Sequence, residues 1–388
     1  MSDDEASRRD VLDLGIVGDA SEPAEDVGPG VPPGLSRRGL LLTGAGAIAA
    51  GALRVALSST RSPVASKPAG ATASSTPVSV GRLARPMPVT PGTRAWVLFG
   101  LGPDVLIRVQ PGSDRAVRTR LVPVGDGPVS LVPTRRGVVI RPVGDQPGYL
   151  VPDGAAPRPL PAALAGIGSV LPGPDVCRLW TQVERGRSTE MALVSVDGRR
   201  PPVVVPVPEF ATTGPMTDGG GGLLFEGVGG LYRISPTGRL RMSNAIVLAV
   251  GHGGLLTLER DRRGRWQTLL RLPAGPARVV PVPIGPQLPH GVLSPDQRTV
   301  ALYVVHAPAS IGLALVDLAS GSLHGLDLDV TGVVADGCVV WTPDSSRLVC
   351  VDSDGLVRLV DRSAPDDVTP VLGLPPVRQL ALRMTARA

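Results

Sequence analysis

Lysine is almost missing from this chain: it occurs once, at Lys67, while arginine is found throughout. Nothing in the sequence demands guanidinium over ammonium, so the imbalance reads as base composition and carries no functional weight. Aromatic residues make up 3% of the 388 positions, too few to interleave with the scattered arginines as a nucleic-acid platform requires, and this argues against nucleic acid as a partner. There are four histidines and three cysteines. His252 stands alone, and His290, His306 and His324 fall on separate strands or loops of one repeat. The nearest His and Cys, His324 and Cys338, lie on different strands of different repeats. That spacing argues against a zinc or copper site, and no metal or cofactor is expected. No Ser, His and Asp converge in sequence, and Gly214-Pro215-Met216 lacks a nucleophile where a hydrolase elbow places one. Gly219 to Gly222 lacks the lysine and helix of a phosphate loop and reads as a turn. No catalytic residue is assigned.

What is present points to β structure. The chain has 49 glycines and 42 prolines, with Val and Leu dominating the apolar set, which suits many short strands separated by turns. Its length fits two domains or one large all-β domain, and this composition favours the second. The net charge of +5 is unevenly spread. Residues 1 to 30 carry nine acids against Arg8 and Arg9, a net of −7, whereas the stretch from Arg37 to Arg85 has seven basic residues and no acid.

Aligning the turns that follow short apolar runs reveals an internal repeat. The runs are Leu106 to Val109, Tyr149 to Val151, Ala192 to Val196, Leu231 to Ile234, Leu269 to Leu272, Leu313 to Leu318 and Leu356 to Val360. Their turns centre on Gly112, Gly154, Gly198, Gly238, Gly275, Gly321 and Ala364, at steps of 37 to 46 residues, which is propeller spacing. A strand precedes each run, and outer strands such as Val203 to Val207 and inner ones such as Val129 to Val132 complete the unit. Four strands repeated seven times predict a seven-bladed β-propeller over residues 93 to 388. The first blade holds only three strands of its own, so the leftover run Val377 to Leu382 is expected to close it as the innermost strand.

Leu293-Ser294-Pro295-Asp296-Gln297 and Trp341-Thr342-Pro343-Asp344-Ser345 resemble the Ser-Pro-Asp-Gly hairpins of TolB-like and WD-related propeller repeats. Proline presets the first turn position and the aspartate side chain caps the turn. Gln297 and Ser345 stand where that family prefers glycine. The resemblance covers the last two repeats and implies fold, not activity.

Upstream, Ser36-Arg37-Arg38-Gly39-Leu40-Leu41 and the Ala/Gly-rich apolar run to Leu53, broken by Arg54 before Leu57, resemble a twin-arginine (Tat) export signal, with Leu in place of the usual Phe. Residues 36 to 57 are thus expected to be a signal or a transmembrane anchor. Residues 1 to 35 form an acidic cytoplasmic tail without fixed structure, 58 to 92 a Ser/Pro/Ala-rich linker, and the propeller lies outside the membrane. Cleavage after the small residues Ala56 and Ser58 and retention as a signal-anchor both remain open.

If Pro343, Asp344 and Ser345 form a three-residue loop, Cys338 faces Cys350 at disulfide distance. A disulfide and two buried thiols are equally compatible with this, and Cys177 reads as a core residue. Two loops at the end where propellers bind ligands are rich in arginine: Glu184-Arg185-Gly186-Arg187, and Arg260-Asp261-Arg262-Arg263-Gly264-Arg265-Trp266. Trp and Arg are favoured at interface hot spots. The function these features favour is an extracytoplasmic binding or scaffolding propeller for an unknown protein or an anionic envelope polymer. The alternative is a propeller hydrolase or lyase acting on such a polymer, and a third reading is a subunit of an envelope complex with an apolar side patch.

Overall fold

The computed structural model describes residues 78–89 and 96–385, apart from short interruptions at 126, 144–145, 162–163, 165–168, 186–187, 208–210, 212–214, 228–229, 274, 284–289, 308–309 and 331–336. The acidic tail, the Arg37-Arg38 export segment and the first part of the linker lie outside the described residues. Among those described, no helix is long and apolar enough to cross a membrane.

In chain order the first sheet holds β1 (Val78–Arg82), β2 (Trp96–Leu101), β3 (Val105–Val109) and β4 (Arg115–Arg120). The second holds β5 (Val129–Thr134), β6 (Gly137–Pro142), β7 (Tyr149–Pro152) and β8 (Arg158–Pro159). Next come β9 (Val170–Pro172), β10 (Arg178–Arg185), β11 (Ser188–Ser195) and β12 (Val203–Pro206), followed by β13 (Met216–Thr217), β14 (Leu223–Gly227), β15 (Gly230–Ser235) and β16 (Gly238–Ser243). Then follow β17 (Ile246–Gly251), β18 (Gly254–Arg260), β19 (Trp266–Arg271) and β20 (Arg278–Val279), and β21 (Gly291–Leu293), β22 (Thr299–Ala307), β23 (Ser310–Asp317) and β24 (Leu323–Val330). The last are β25 (Val339–Trp341), β26 (Arg347–Val351), β27 (Val357–Asp361) and β28 (Ala364–Pro370), and finally β29 (Gln379–Met384).

These strands form an all-β propeller-like fold, but not seven separate blades. Five sheets of four or five strands stand alone, and β17 to β24 merge into one eight-stranded sheet. The merger is a parallel pairing of β17 with β21, Ala249 opposite Gly291 and Val250 opposite Val292. The expected closure is present: β29 pairs antiparallel with β2 from Trp96↔Met384 to Leu101↔Gln379, giving the first sheet the order β1-β4-β3-β2-β29. The stretch read as a linker to residue 92 contributes β1, which pairs with β4 along its whole length because Val78 and Val80 alternate with small residues in strand fashion.

Burial grades outward along each meander. The second strands β2 and β6 are buried at every residue, since they are packed on both faces by neighbouring sheets, and apart from Arg141 in β6 they carry no charge. The outer strand β28 is mostly exposed. The turn positions expected from the repeat hold at six glycines: Gly112, Gly154, Gly198, Gly238, Gly275 and Gly321 all have positive φ. Gly238 and Ala364 each open the strand after the turn, β16 and β28.

The first hairpins of successive meanders tie to one another at one end of the sheets. Arg135 N donates to Val176 O (2.8 Å), Trp180 Nε1 to Gly221 O (2.8 Å), His252 Nδ1 to Gly219 O (3.0 Å), Gln297 Nε2 to Gly253 O (3.0 Å) and Asp296 N to Ser345 Oγ (2.9 Å). The glycine run belongs to this belt: a Cβ on Gly221 (φ +89°) would stand 2.0 Å from Pro174 Cα. Gln297 and Ser345, both at φ 60°, are the non-glycine residues with positive φ among those described. The glycine-like turn of the resemblance is therefore kept, and the side chains that replace glycine make two of the belt's bonds. Each bond offsets a left-handed cost of about 1 kcal/mol with a gain of similar size.

Two cysteine expectations are corrected. The hairpin loop has four residues, with Thr342 N bonded to Arg347 O, so Cys350 faces Val339 and not Cys338. A one-residue change of register sends the two side chains to opposite faces, and both thiols are free and buried. Cys338 Sγ lies 3.3 Å from Tyr303 Oη, and burial pushes the Cys350 thiol up. Cys177 is exposed in the β9–β10 turn, where Asp175 accepts from its N–H.

Candidate functional site

In an antiparallel meander alternate turns lie at opposite ends. The turns joining second to third strands therefore lie away from the interlocked hairpins, and the one between β18 and β19 carries the arginine cluster. Arg260 and Trp266 are its paired ends. Asp261 organises the backbone: its Oδ1 accepts from Arg263 N (2.8 Å) and Arg265 N (2.9 Å), and its Oδ2 takes Arg265 Nη2 at 3.0 Å. Asp261 N donates to Arg265 O and Gly264 N to Asp261 O, with Gly264 at φ +79°. These N–H donors, that of Arg265 foremost, hold the Asp261 carboxyl below the ordinary range, so it stays a fixed anion neutralising Arg265.

What remains for a partner is the rest of the turn. Arg262 and Arg263 are exposed, and no carboxylate among the described residues reaches ion-pair distance of either. Arg260 stacks on Trp266, its Cζ 4.7 Å from the ring centroid, which leaves the indole 38% exposed. Nearby Glu259 is engaged by Arg271 at 2.6 Å and so does not neutralise the turn. At the same end of the preceding meander, Arg241 is exposed and fixed on Asn244 (2.9 Å). Sequence reasoning did not single out Arg241, because it lies on an ordinary outer strand and not in an arginine run.

The other predicted arginine loop is brought to the same end by the β10–β11 turn. Arg185 closes β10 opposite Ser188. Its side chain and the whole of Arg187 lie outside the described residues.

A second concave feature lies between the first two sheets, lined by Phe99, Leu106, Arg108, Val117, Thr119 and Asp153 among others. Its volume of about 10 Å³ is room for about one water. Its charges are turned on each other: Arg383, on β29, binds Asp153 at 2.5 Å and Thr134 O at 2.9 Å and lies over Phe99, while Arg108 meets the other Asp153 oxygen at 3.4 Å. This is a latch for the closing strand. Among the described residues no three His, Cys, Asp or Glu are grouped to hold a metal ion.

No protein-family model and no curated protein matches the chain. Solved structures resemble it at low identity. One is a putative 6-phosphogluconolactonase from Bacteroides fragilis (13% identical, TM-score 0.45, covering 76% of this chain and 99% of that one). Another is oligogalacturonate lyase in complex with manganese (12%, 0.47, 77% and 91%), and a third is TolB from Acinetobacter baumannii (14%, 0.38, 74% and 82%). Likenesses of this size bring none of those proteins' activities to this chain, whose fold rests on its own strand pairing.

Proposed function

We propose that this protein is an extracytoplasmic binding or scaffolding propeller of seven blades that recognises an anionic partner, an envelope polymer or an acidic protein, through the Arg260–Trp266 turn. The blade number rests on reading the eight-stranded sheet as two four-stranded meanders joined by only two parallel pairs. The export reading is supported by the Arg37-Arg38 segment, and on that reading the propeller lies outside the membrane, tethered or released.

The observation that carries the binding role is the division of labour inside one turn. Asp261 spends its charge on Arg265 and on backbone N–H groups, and Arg262 and Arg263 are left exposed beside a half-open Trp266. A turn pre-shaped in this way loses little freedom on binding. Titration of the full chain with poly-glutamate and with polyphosphate across a salt series tests it. Replacing both Arg262 and Arg263 by Ala should weaken binding at least about tenfold and flatten its salt dependence while leaving thermal unfolding unchanged. Unchanged affinity and salt slope would remove this turn from the function.

A further inference from the structure

Charge is sorted around the rim of the fold. The outer strands β1, β4, β8, β16 and β20 contain eight arginines and no acid, whereas β24 and β28 contain four aspartates, Asp327, Asp329, Asp366 and Asp367, and no arginine. All four aspartates are exposed, and Asp366 has one oxygen 3.2 Å from His324 Nε2 of β24. The two signs meet where the connection into β29 returns to the first sheet. There the connection after β28 lies against the end of β1, with Ala84 N bonded to Leu372 O (3.1 Å) and Arg118 Nη2 bonded to Gly373 O (2.7 Å).

At this seam apolar side chains stand in solvent on β1 and on the connection after β28. Val78, Val80 and Leu372 are exposed, Val80 by 62% and Leu372 by 58%. β28 carries the exposed Asp367 and the exposed Asp366, which also meets His324, and the first sheet with the turn after β1 carries the exposed Arg82, Arg85 and Arg115. Arg82 and Arg115 face each other across the β1–β4 pair, so like charges are stacked where an opposite charge from outside would relieve them.

An acidic patch beside a basic one with apolar ground between is complementary to its own copy turned by a two-fold rotation. The acids of each molecule then meet the arginines of the other, and the contact closes after two subunits. We propose that the protein forms a two-fold homodimer through this seam, with Asp366 and Asp367 of one protomer set against Arg82, Arg85 and Arg115 of its partner around Val78, Val80 and Leu372. The contact is made by side chains and not by sheet extension, because Pro365 and Pro370 interrupt the N–H row of β28. The inference stands apart from the anionic-partner role, since it uses no residue of the Arg260–Trp266 turn.

Sedimentation of the full chain in a non-ionic detergent tests it. The expected result is a dimer at low salt whose dissociation constant rises about tenfold or more as salt is raised to several times the physiological level. Asp366→Arg with Asp367→Arg should give a monomer, as should Arg82→Glu with Arg85→Glu and Arg115→Glu, each retaining the wild-type thermal transition. Mixing the two variants should restore a dimer, because both contacts then pair opposite signs again. A wild-type monomer, dimers that survive either reversal, or a mixture that stays monomeric would each overturn the proposal. So would wild-type monomers that associate with anionic but not neutral lipid vesicles through the same arginines.

Discussion

The two ends of the sheets are built from similar turns put to opposite use. At the interlocked end, the hairpins starting each meander press into one another: Gly221 has no room for a methyl group, and Gln297 and Ser345 accept a left-handed backbone to reach the neighbouring turn. At the other end Gly264 has the same left-handed backbone, and nothing lies within 4 Å of where its Cβ would be. Equal backbone geometry thus holds the ring together at one end and presents arginines at the other. The contrast shows that a turn's conformation does not reveal its role; what approaches it does.

The hardest way to break this comparison is to open the ring. Deleting residues 377 to 388 removes β29 together with the buried Val377 and Leu380 and the Arg383 latch. The expected loss exceeds about 5 kcal/mol, comparable with the whole stability of a domain, so calorimetry should show no cooperative transition. An unchanged transition would refute the closure. Next in size, Gly221→Ala should cost about 3 kcal/mol or more in chemical denaturation, because the new methyl group collides with backbone as well as straining φ. Gly264→Ala should cost only about 1 kcal/mol from φ. Similar costs at the two sites would abolish the distinction between the ends.

The smallest expected effect comes from acid. The N–H of Ser320 at Asp317 and the hydroxyl of Ser363 at Asp361 hold these carboxyls below their ordinary range, as the Arg265 N–H does at Asp261. A carboxyl whose pKa is depressed by folding stabilises the folded state above the unfolded pKa and loses that contribution as pH falls through the folded value. Stability should therefore decline as pH drops below about 4. Asp317→Asn and Asp361→Asn should flatten that decline, whereas Asp261→Asn should loosen the arginine turn and weaken anion binding more than it changes the melting temperature.

The propeller was legible because its evidence is local and repeated. Glycines that must turn left and apolar runs that must pair recur at a nearly constant step, and the glycines at six of the seven expected turns have positive φ. The cysteine register was lost for a reason of the same scale. The loop after Thr342 holds four residues instead of three, because Ser345 takes the left-handed position before the chain turns back, and one residue decides which face a side chain occupies. Cys177 looked like core by residue type, yet the turn capped by Asp175 carries it outward. The latch was out of reach altogether, since Arg383 and Asp153 are 230 residues apart and no periodicity links them. The arginine turn was visible as composition, but its division into a neutralised Arg265 and an exposed Arg262 and Arg263 depends on which N–H groups Asp261 collects.

The closing strand also sets a clock. Gln379 pairs with Leu101 across 278 residues of sequence, so at roughly 5 to 20 residues per second a ribosome needs about 14 to 56 s between making one partner and the other. Throughout that interval the first sheet stands with an open edge that no sequence already synthesised can cover. A cellular factor that holds nascent chains would meet this protein in two distinct forms, and the switch between them is the arrival of a single strand.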